Sequence, residues 1–256
     1  MKGTVFDLSG RVALVTGGSK GIGRAIGGGF ARAGAELFLC SRKEEHLKAA
    51  ADEIRDETGV RVEYLVADMA VRDDLDRVAQ AALERFGKVD ILVNNAGWNV
   101  PQAIDEIRDE DWNYVVTLNL NHVMALTRAL VPQMKERGWG RVIHMSSIMG
   151  LGSTAKRNVY SATKAALIGM ARASALDLGK FGITVNCIAP GPIATEMPMS
   201  ILSQEQQDAF SARTAIGRWG NPNELIGPAL LLASDAGSYI TGACLVVDGG
   251  VTANVF

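Results

Sequence analysis

The sequence is poor in residues that staple a chain or hold a metal. Its 256 residues contain three widely spaced cysteines and no CxxC pair: Cys40, Cys187 and Cys244. This usage predicts reduced thiols in a cytoplasmic protein, not a disulfide framework. The three histidines form no close pair at metal-ligand spacing, so no metal site is predicted.

Long apolar runs and an excess of either charge are also missing. The longest apolar run, Leu225–Ala233, is too short to cross a bilayer, and charges interrupt the apolar residues of Met1–Leu14. Lys plus Arg number 26 against 28 Asp plus Glu, for a formal net charge of -2. This balance gives no electrostatic case for nucleic acid or an anionic membrane as partner.

Short apolar runs recur along the chain, and their continuity is typical of strands buried on both faces of a parallel sheet. Seven such strands are predicted: Val12–Thr16, Leu37–Cys40, Val62–Val66, Ile91–Asn94, Val142–Ser146, Ile183–Ile188 and Cys244–Val247. Five helices are predicted between them: Ile22–Ala33, Glu44–Glu57, Arg72–Phe86, Glu110–Arg137 and Ser161–Gly179.

Strands that alternate with amphipathic helices predict an α/β fold, in which one doubly wound and mainly parallel sheet carries helices on both faces. The composition, 48% hydrophobic and 21% charged, excludes disorder, and the length suits one domain over residues 1–256. Residues 195–213 break the alternation, so we expect a helical insertion over a site rather than a second domain.

A glycine-rich segment, Thr16–Gly23, follows the first strand and opens the first helix. Glycine lets backbone N–H groups approach a pyrophosphate closely, and a helix N-terminus favours an anion. The segment therefore predicts a dinucleotide site, with an ordinary glycine-rich turn as the alternative. The residues expected to contact the cofactor are Gly17, Ser19, Lys20, Gly21, Ile22 and Gly23.

Two further motifs fall at the carboxyl ends of predicted strands, where open α/β sheets bind their ligands. Asn94-Asn95-Ala96-Gly97 ends the fourth strand, although a turn would use the same residues. Ser147 follows the fifth strand and is the candidate functional hydroxyl, with Ser146 as the alternative. Tyr160 and Lys164 are four residues apart, on one face of a helix.

Taken together and in order, these motifs resemble the short-chain dehydrogenase/reductase family over nearly the whole chain. The residues that carry the resemblance are Thr16-Gly17-x-x-x-Gly21-x-Gly23, Asp68, Asn94-Asn95-Ala96-Gly97, Asn119, Ser147, Tyr160-x-x-x-Lys164 and Pro190-Gly191. The resemblance implies a Rossmann-type domain, a dimer or tetramer, and reversible hydride transfer between a nicotinamide cofactor and a carbonyl or alcohol.

The resemblance also implies residue roles. Tyr160 is the general acid/base, Ser147 and Lys164 are its partners, and Asn119 is the fourth catalytic residue, which positions a water for proton relay. Lys164 also holds the nicotinamide ribose. The remaining cofactor contacts implied are Asp68 and Met69 near the adenine, Asn95, Ala96 and Gly97, Tyr160, Pro190, Gly191, Ile193, and Thr195 at the carboxamide. Helix N-caps are the alternative for Asp68 and Thr195.

Elementary chemistry supports these roles. A free tyrosine has a pKa near ~10, so it is a poor base at neutral pH. A nearby ammonium favours the phenolate, so we expect Lys164 to lower the pKa of Tyr160. Ser147 is expected to hydrogen-bond the substrate oxygen, where charge develops.

The end of the second strand predicts NADP(H). Enzymes that prefer NAD place an acidic residue there for the ribose 2′-hydroxyl. Here Ser41 stands in that place, and Arg42 follows it. A guanidinium pairs bidentately with a phosphate, and Lys20 adds a second positive charge. Two unrelated surface cations are the alternative.

The substrate is predicted only as a small carbonyl or alcohol. Arg218–Gly227 resembles the gluconate 5-dehydrogenase branch, whereas Trp98 and Asn99 stand where that branch carries arginines. A 3-oxoacyl-carrier-protein reductase and a non-catalytic nicotinamide-binding regulator are the alternatives. Arg157 is a candidate for an anionic substrate, or a solvated loop arginine. The candidate pocket residues are Trp98, Asn99, Ile148, Met149, Arg157, Pro192, Met197, Met199 and Trp219.

A run of three glycines, Gly27-Gly28-Gly29, lies inside the first predicted helix, where close helix packing would explain it.

The two longest predicted helices, Glu110–Arg137 and Ser161–Gly179, carry apolar residues on more than one face, and family resemblance predicts a homotetramer. The alternative is that one chain covers these faces itself. The residues concerned are Leu118, Leu120, Val123, Met124, Leu126, Leu167, Ile168 and Met170.

Overall fold

The computed structural model describes residues 3–253, without the side chains of Met197 and Ile201. The strands are β1 Val12–Thr16, β2 Glu36–Ser41, β3 Val62–Val66, β4 Ile91–Asn94, β5 Gly140–Met145, β6 Ile183–Pro190 and β7 Cys244–Val247. The helices are α1 Gly21–Arg32, α2 Glu44–Thr58, α3 Arg72–Phe86, α4 Asp109–Val116, α5 His122–Arg137, α6 Asn158–Leu178, α7 Glu196–Ile201, α8 Gln204–Arg213 and α9 Ile226–Ala233.

All strands join one parallel sheet in the order β3-β2-β1-β4-β5-β6-β7. The doubly wound α/β prediction is confirmed. The chain reverses direction across the sheet between β1 and β4, where Val15 pairs with Val93. A crevice opens beyond the carboxyl ends of strands at such a switch point, and ligands of this fold bind there. Both the glycine-rich segment and Asn94–Gly97 leave the sheet at this point.

Helices cover both faces of the sheet, which is why the strands read as continuous apolar runs. On one face α1, α2 and α9 bury Phe30, Leu47 and Leu232 against the sheet. On the other, α3, α5 and α6 bury Val78, Leu126 and Leu167. The apolar face of each helix thus anchors the loops that leave the carboxyl edge.

Three helical segments differ from the predictions. Glu110–Arg137 is not one helix, because a π-helical turn at Thr117–Asn121 separates α4 from α5. Residues 195–213 contain two helices, α7 and α8. The run Leu225–Ala233, to which no helix was assigned, forms a short 3-10 turn and α9. Its glycine and proline lie in the first turn, where a proline costs the helix little.

The three glycines of α1 have different surroundings. A Cβ on Gly29 would collide with Ile226 Cγ2 of α9, so this glycine lets the two helices approach closely. A Cβ on Gly28 would come no nearer than 3.6 Å to the Arg32 side chain, an ordinary contact. Close packing therefore explains Gly29 but not Gly28.

This difference gives a stability prediction. We expect Gly28→Ala to raise the free energy of unfolding by roughly 0.5–1 kcal/mol, because alanine restricts the unfolded chain and favours the helix. Gly29→Ala should lower it by about 1–3 kcal/mol through overpacking against Ile226. Urea unfolding of both variants checks the pair. Equal effects of the same sign would contradict the packing account.

Within residues 3–253, no helix is both long and apolar enough to cross a membrane. The same residues contain no cluster of His, Cys, Asp or Glu that would hold a metal ion. The three cysteines are free thiols.

Candidate active site at the carboxyl edge of the sheet

The glycine-rich loop between β1 and α1 is shaped by backbone that side chains would obstruct. Gly17 and Gly21 have φ angles of +66° and +54°, in the left-handed region that favours glycine. A Cβ on Gly23 would collide with the carbonyl oxygen of Gly17. The loop therefore leads its backbone directly into the N-terminus of α1, which is the arrangement that binds a pyrophosphate.

Asn95 fixes this loop to the end of β4. Its side-chain amide donates to the carbonyl of Thr16 at 2.9 Å. The hydroxyl of Thr16 in turn accepts from the backbone N–H groups of Asn95 and Ala96, both at 3.0 Å. The two predicted cofactor motifs thus meet at the switch point, and the amide of Asn95 acts as a tether within the protein.

The two serines after β5 have different partners. Ser146 Oγ is buried and donates to the carbonyl of Lys164 at 2.8 Å, so it ties β5 to α6. Ser147 Oγ accepts from the N–H of Met149 at 3.1 Å and lies close enough to Tyr160 to lower the pKa of the phenol. Of the two hydroxyls, that of Ser147 is therefore the one beside the tyrosine, as the family resemblance implies.

Lys164 is buried below the tyrosine. Its Nζ donates to the carbonyl of Met145 at 2.6 Å and lies 5.4 Å from the ring centroid of Tyr160. Burial lowers the pKa of Lys164 to about 8. The ammonium also lies close to Gly97, where an added Cβ would be 3.5 Å from Nζ. Lys164 thus joins the tyrosine to the Asn94–Gly97 segment.

The protonation of Tyr160 differs from the sequence-based expectation. Burial raises the pKa of the phenol, and the hydrogen bond with Ser147 and the charge of Arg157 oppose that rise. Lys164 is not among the groups that lower it, because its ammonium is directed at Met145. In the protein alone, Tyr160 is therefore a protonated acid at neutral pH.

Asn119 lies on the π-helical turn between α4 and α5. Its amide clamps the backbone of Trp98, accepting from the N–H at 2.9 Å and donating to the carbonyl at 2.9 Å. A third hydrogen bond reaches Thr163 Oγ1 at 3.2 Å. Asn119 therefore connects the strand-end segment to α6, beside the Tyr160 turn. Turns of this kind are frequent at functional sites.

The residues expected near the adenosine ribose gather at the end of β2. Ser19 and Ser41 share a hydrogen bond of 2.8 Å between their hydroxyls. Arg42 is exposed, donates to Tyr114 at 3.4 Å and lies 5.9 Å from the ring of Trp98. Lys20 is paired with Glu196 of α7 at 2.6 Å. No local sequence pattern identifies Glu196 as a site residue.

The segment after β6 closes over the glycine loop. Thr195 is the N-cap residue of α7 but makes no capping hydrogen bond, and its methyl would be 3.1 Å from a Cβ on Gly21. Gly191 lies against Asp248, where any Cβ would clash, and Ile193 is buried. Pro190, the last residue of β6, leads into this segment.

Asp68 and Met69 form a turn between β3 and α3. Asp68 Oδ1 accepts from the N–H of Ala70 at 2.9 Å, so it stabilises this turn and is not the N-cap of α3, which is Val71. The carbonyl of Met69 contacts His122 Nδ1 at 2.8 Å.

The candidate pocket residues are held in different ways. Trp219 donates from its indole to the carbonyl of Gln207 at 2.9 Å and packs edge-on against Phe210, so it supports α8. Ile148 is buried in the short 3-10 turn after Ser147. Trp98, Asn99, Met149, Arg157, Pro192 and Met199 are half-buried, and the Met197 side chain lies outside the described residues.

His144, which the sequence did not single out, is fully buried beneath the site. Its Nδ1 lies 3.1 Å from Asn94 Nδ2, while Nε2 has no hydrogen-bond partner among the described residues. Burial and the charge of Lys164 lower its pKa to about 4. A neutral imidazole therefore lies beside the lysine.

These features fit a dinucleotide bound at the switch point. The three loop glycines leave room where a Cβ would intrude, and the α1 N-terminus presents unpaired N–H groups to an anion. The hydroxyl pair of Ser147 and Tyr160 lies at the same edge of the sheet. The fold and site define an oxidoreductase of the Rossmann type.

Comparisons with known proteins agree. A family model described as Enoyl-(Acyl carrier protein) reductase matches residues 17–252. Gluconate 5-dehydrogenase of Gluconobacter oxydans is 38% identical over 257 residues, covering 98% of each chain. A 3-oxoacyl-[acyl-carrier-protein] reductase of Escherichia coli is 36% identical over 246 residues, covering 96% of this chain and 99% of the other.

A solved structure gives the same result. Gluconate 5-dehydrogenase from Burkholderia cenocepacia, in complex with NADP and tartrate, superposes with a TM-score of 0.92 at 35% identity and 98% coverage of both chains. The chain belongs to the short-chain dehydrogenase/reductase family.

Proposed function

We propose that the protein transfers a hydride between NADP(H) and a carbonyl or secondary alcohol, with Tyr160 as general acid/base. The observation that carries this proposal is the placement of Ser147, Tyr160 and Lys164 at one sheet edge with the glycine-rich loop, with the Lys164 ammonium 5.4 Å from the tyrosine ring. A general acid within hydrogen-bond reach of an oxyanion stabiliser is what carbonyl reduction requires.

When bound, the nicotinamide supplies or accepts the hydride. In the reductive direction the phenol of Tyr160 donates its proton to the substrate oxygen, and the raised pKa of the phenol keeps that proton in place at neutral pH. Ser147 donates a hydrogen bond to the same oxygen and stabilises the charge that develops there. Oxidation of an alcohol needs the phenolate, so it should become faster towards alkaline pH.

Lys164 and Asn119 complete the proposed machinery. Lys164, with its pKa lowered to about 8, lies below the tyrosine, where its ammonium holds the nicotinamide ribose. Asn119 holds the Trp98 backbone beside α6 and positions the water that returns a proton to the site. The remaining cofactor contacts are Asp68, Met69, Asn95–Gly97, Pro190, Gly191, Ile193 and Thr195.

NADP(H) is the proposed cofactor. Ser41 stands where an NAD enzyme carries an acid, and Arg42 and Lys20 flank the Ser19–Ser41 hydrogen bond. The Burkholderia relative was solved with NADP, which supports the proposal. The experiment that tests the function is a screen of ketones, sugar acids and acyl thioesters with each reduced cofactor, followed by nicotinamide absorbance. If NADPH is consumed with none of these substrate classes, the proposed function is wrong.

We also propose that the protein is a cytoplasmic homotetramer with two-fold axes. Five of the eight apolar residues noted on the long helices are buried within the chain, so they offer no interface. Two apolar side chains on these helices are exposed to solvent. Met124 of α5, one of the eight, is 41% exposed, and Leu176 of α6 is 85% exposed. Exposed apolar side chains of this size on two helices that cover the same face of the sheet favour a partner subunit. The three free thiols suit the cytoplasm.

The assembly is tested by light scattering at micromolar concentration. We expect a tetramer for the parent protein, and a smaller species for Leu176→Glu, because a buried carboxylate at an interface is costly. Lys180→Glu, an exposed change near the end of the same helix, is the matched control and should leave the mass unchanged. A monomeric parent would overturn the proposal.

A further inference from the structure

Arg157 stands apart from the other arginines. Of all the arginines, only Arg11, Arg141 and Arg157 are not exposed. Arg11 pairs with Asp90 at 3.9 Å, and Arg141 pairs with Asp235 at 3.7 Å. Within residues 3–253, the guanidinium of Arg157 has neither a carboxylate at ion-pair distance nor a hydrogen bond. A partly desolvated cation of this kind is costly unless something pairs with it.

Its position makes the cost greater. Arg157 is the N-cap residue of α6, whose first turn contains no acidic side chain. The positive end of the helix dipole disfavours a cation there, and Ser, Thr, Asp or Asn would satisfy the helix instead. Among residues 3–253, no side chain compensates for this choice. Local rules that a sequence breaks without compensation tend to mark functional sites.

Arg157 is also directed towards the chemistry. It precedes Tyr160 by three residues, which brings the two side chains onto neighbouring positions of one helix edge. Its charge also lowers the pKa of the Tyr160 phenol, in keeping with that position.

The backbone around Arg157 is held firmly. Gln102, in the segment after Trp98, donates from its N–H to the carbonyl of Lys156 at 3.0 Å and accepts from Asn158 Nδ2 at 3.0 Å. Lys156 has a φ angle of +65°, the one left-handed non-glycine residue among residues 3–253. Such backbone strain persists where the surroundings fix it. The arginine is therefore presented from a fixed loop at the mouth of the site.

We infer that Arg157 is a specificity-determining residue that binds a carboxylate of the substrate, so that the preferred substrates are keto acids and hydroxy acids whose carboxylate lies a few bonds from the reacting carbon. This inference rests on the proposed function. The guanidinium forms two parallel hydrogen bonds with a carboxylate, which orients the substrate as well as holding it. The bound carboxylate then supplies the partner that the chain itself lacks.

The test compares acids with their neutral amides. Pyruvate, acetoacetate and levulinate are each reduced with NADPH beside the corresponding primary amide. For at least one pair the parent protein should prefer the acid by about tenfold or more in kcat/KM, the range expected of a charge-assisted hydrogen-bonded pair. Arg157→Gln should remove the preference by raising KM for the acid, and Arg157→Lys should restore part of it.

Two controls isolate the role of the guanidinium. Arg157→Gln also changes the pKa of Tyr160, but that effect is shared by acid and amide, so the ratio between them excludes it. Lys156→Gln removes the neighbouring exposed cation and should leave the ratio unchanged. A parent that reduces acid and amide equally, an unchanged ratio in Arg157→Gln, or an equal loss in Lys156→Gln would overturn the inference.

Binding provides a readout without turnover. Calorimetric titration of each acid and amide into the NADP-loaded protein should show the same preference in the parent and its loss in Arg157→Gln. Equal affinities of acid and amide in every pair would overturn the inference. Tyr160→Phe separates the two proposals: it should abolish reduction yet keep the binding preference. Full turnover in Tyr160→Phe would refute the proposed role of Tyr160 as general acid/base and leave the carboxylate site standing.

Discussion

Replacing Tyr160 with phenylalanine should lower kcat by at least about a hundredfold, the usual contribution of a positioned general acid. The ring and its packing remain, so the affinity for NADPH should change little. Only the proton donor beside Ser147 is lost. Steady-state reduction of the best ketone from the substrate screen, together with fluorescence titration of NADPH, measures both quantities.

The matched control is Tyr239→Phe, because Tyr239 is a fully exposed tyrosine. It should keep the parent kcat. Lys164→Ala should harm both turnover and cofactor affinity, since this lysine contacts the site on two sides. Near-parental turnover in Tyr160→Phe would show that another group donates the proton, and the mechanism would then be wrong.

The pH dependence of this step follows from the buried phenol. Because burial raises the pKa of Tyr160, the acid form is retained through neutral pH, and reduction should fall only as pH rises towards that value. Alcohol oxidation should show the opposite slope. Arg157 opposes the rise, so Arg157→Gln should move both profiles to higher pH.

Much of the fold follows from composition and periodicity. The bounds of β1, β3, β4 and β7 agree with the prediction, because β-branched and apolar runs end there at polar or glycine-rich turns. Parallel strands buried on both faces leave little freedom in register. The motifs at Thr16–Gly23 and Asn94–Gly97 were therefore placed together correctly, since both follow strands that end at the switch point.

Other features depend on tertiary contacts that no local pattern contains. The π-helical turn at Thr117–Asn121 contains no glycine or proline that would mark it in the sequence. It lies in a segment where Asn119 is hydrogen-bonded to the Trp98 backbone. The pKa of Tyr160 depends on how deeply the ring is buried and on the direction of Lys164. The pairing of Lys20 with Glu196 joins residues 176 positions apart.

The residues at the end of β2 and in the glycine-rich loop also predict which cofactor is preferred. NADPH should be preferred over NADH by about tenfold to a hundredfold in kcat/KM, the range for contacts that contribute ~1.5–3 kcal/mol together. A carboxylate at the position of Ser41 would repel the 2′-phosphate, whereas a hydroxyl donates to it. Arg42 has no carboxylate partner among residues 3–253, so its guanidinium pairs with the phosphate without displacing one.

Lys20 is different, because Glu196 already holds it at 2.6 Å. A phosphate must compete with this carboxylate, and both side chains are well exposed, so the ion pair itself is weak. We therefore expect Arg42→Ala to reduce the NADPH preference more than Lys20→Ala. Glu196→Gln should increase the preference slightly, by freeing Lys20, and Ser41→Asp should reverse it.

The kcat/KM values of the parent and these four variants with NADPH and NADH decide the matter. Lys43→Ala is the control, because it removes an exposed cation next to Arg42 and should leave the ratio unchanged. If Lys43→Ala lowers the ratio as much as Arg42→Ala, the phosphate is recognised by the general positive charge of this region and not by specific hydrogen bonds from the Arg42 guanidinium. Equal efficiency of the parent with both cofactors, or a ratio that neither Arg42→Ala nor Lys20→Ala changes, would show that these residues do not read the 2′-phosphate.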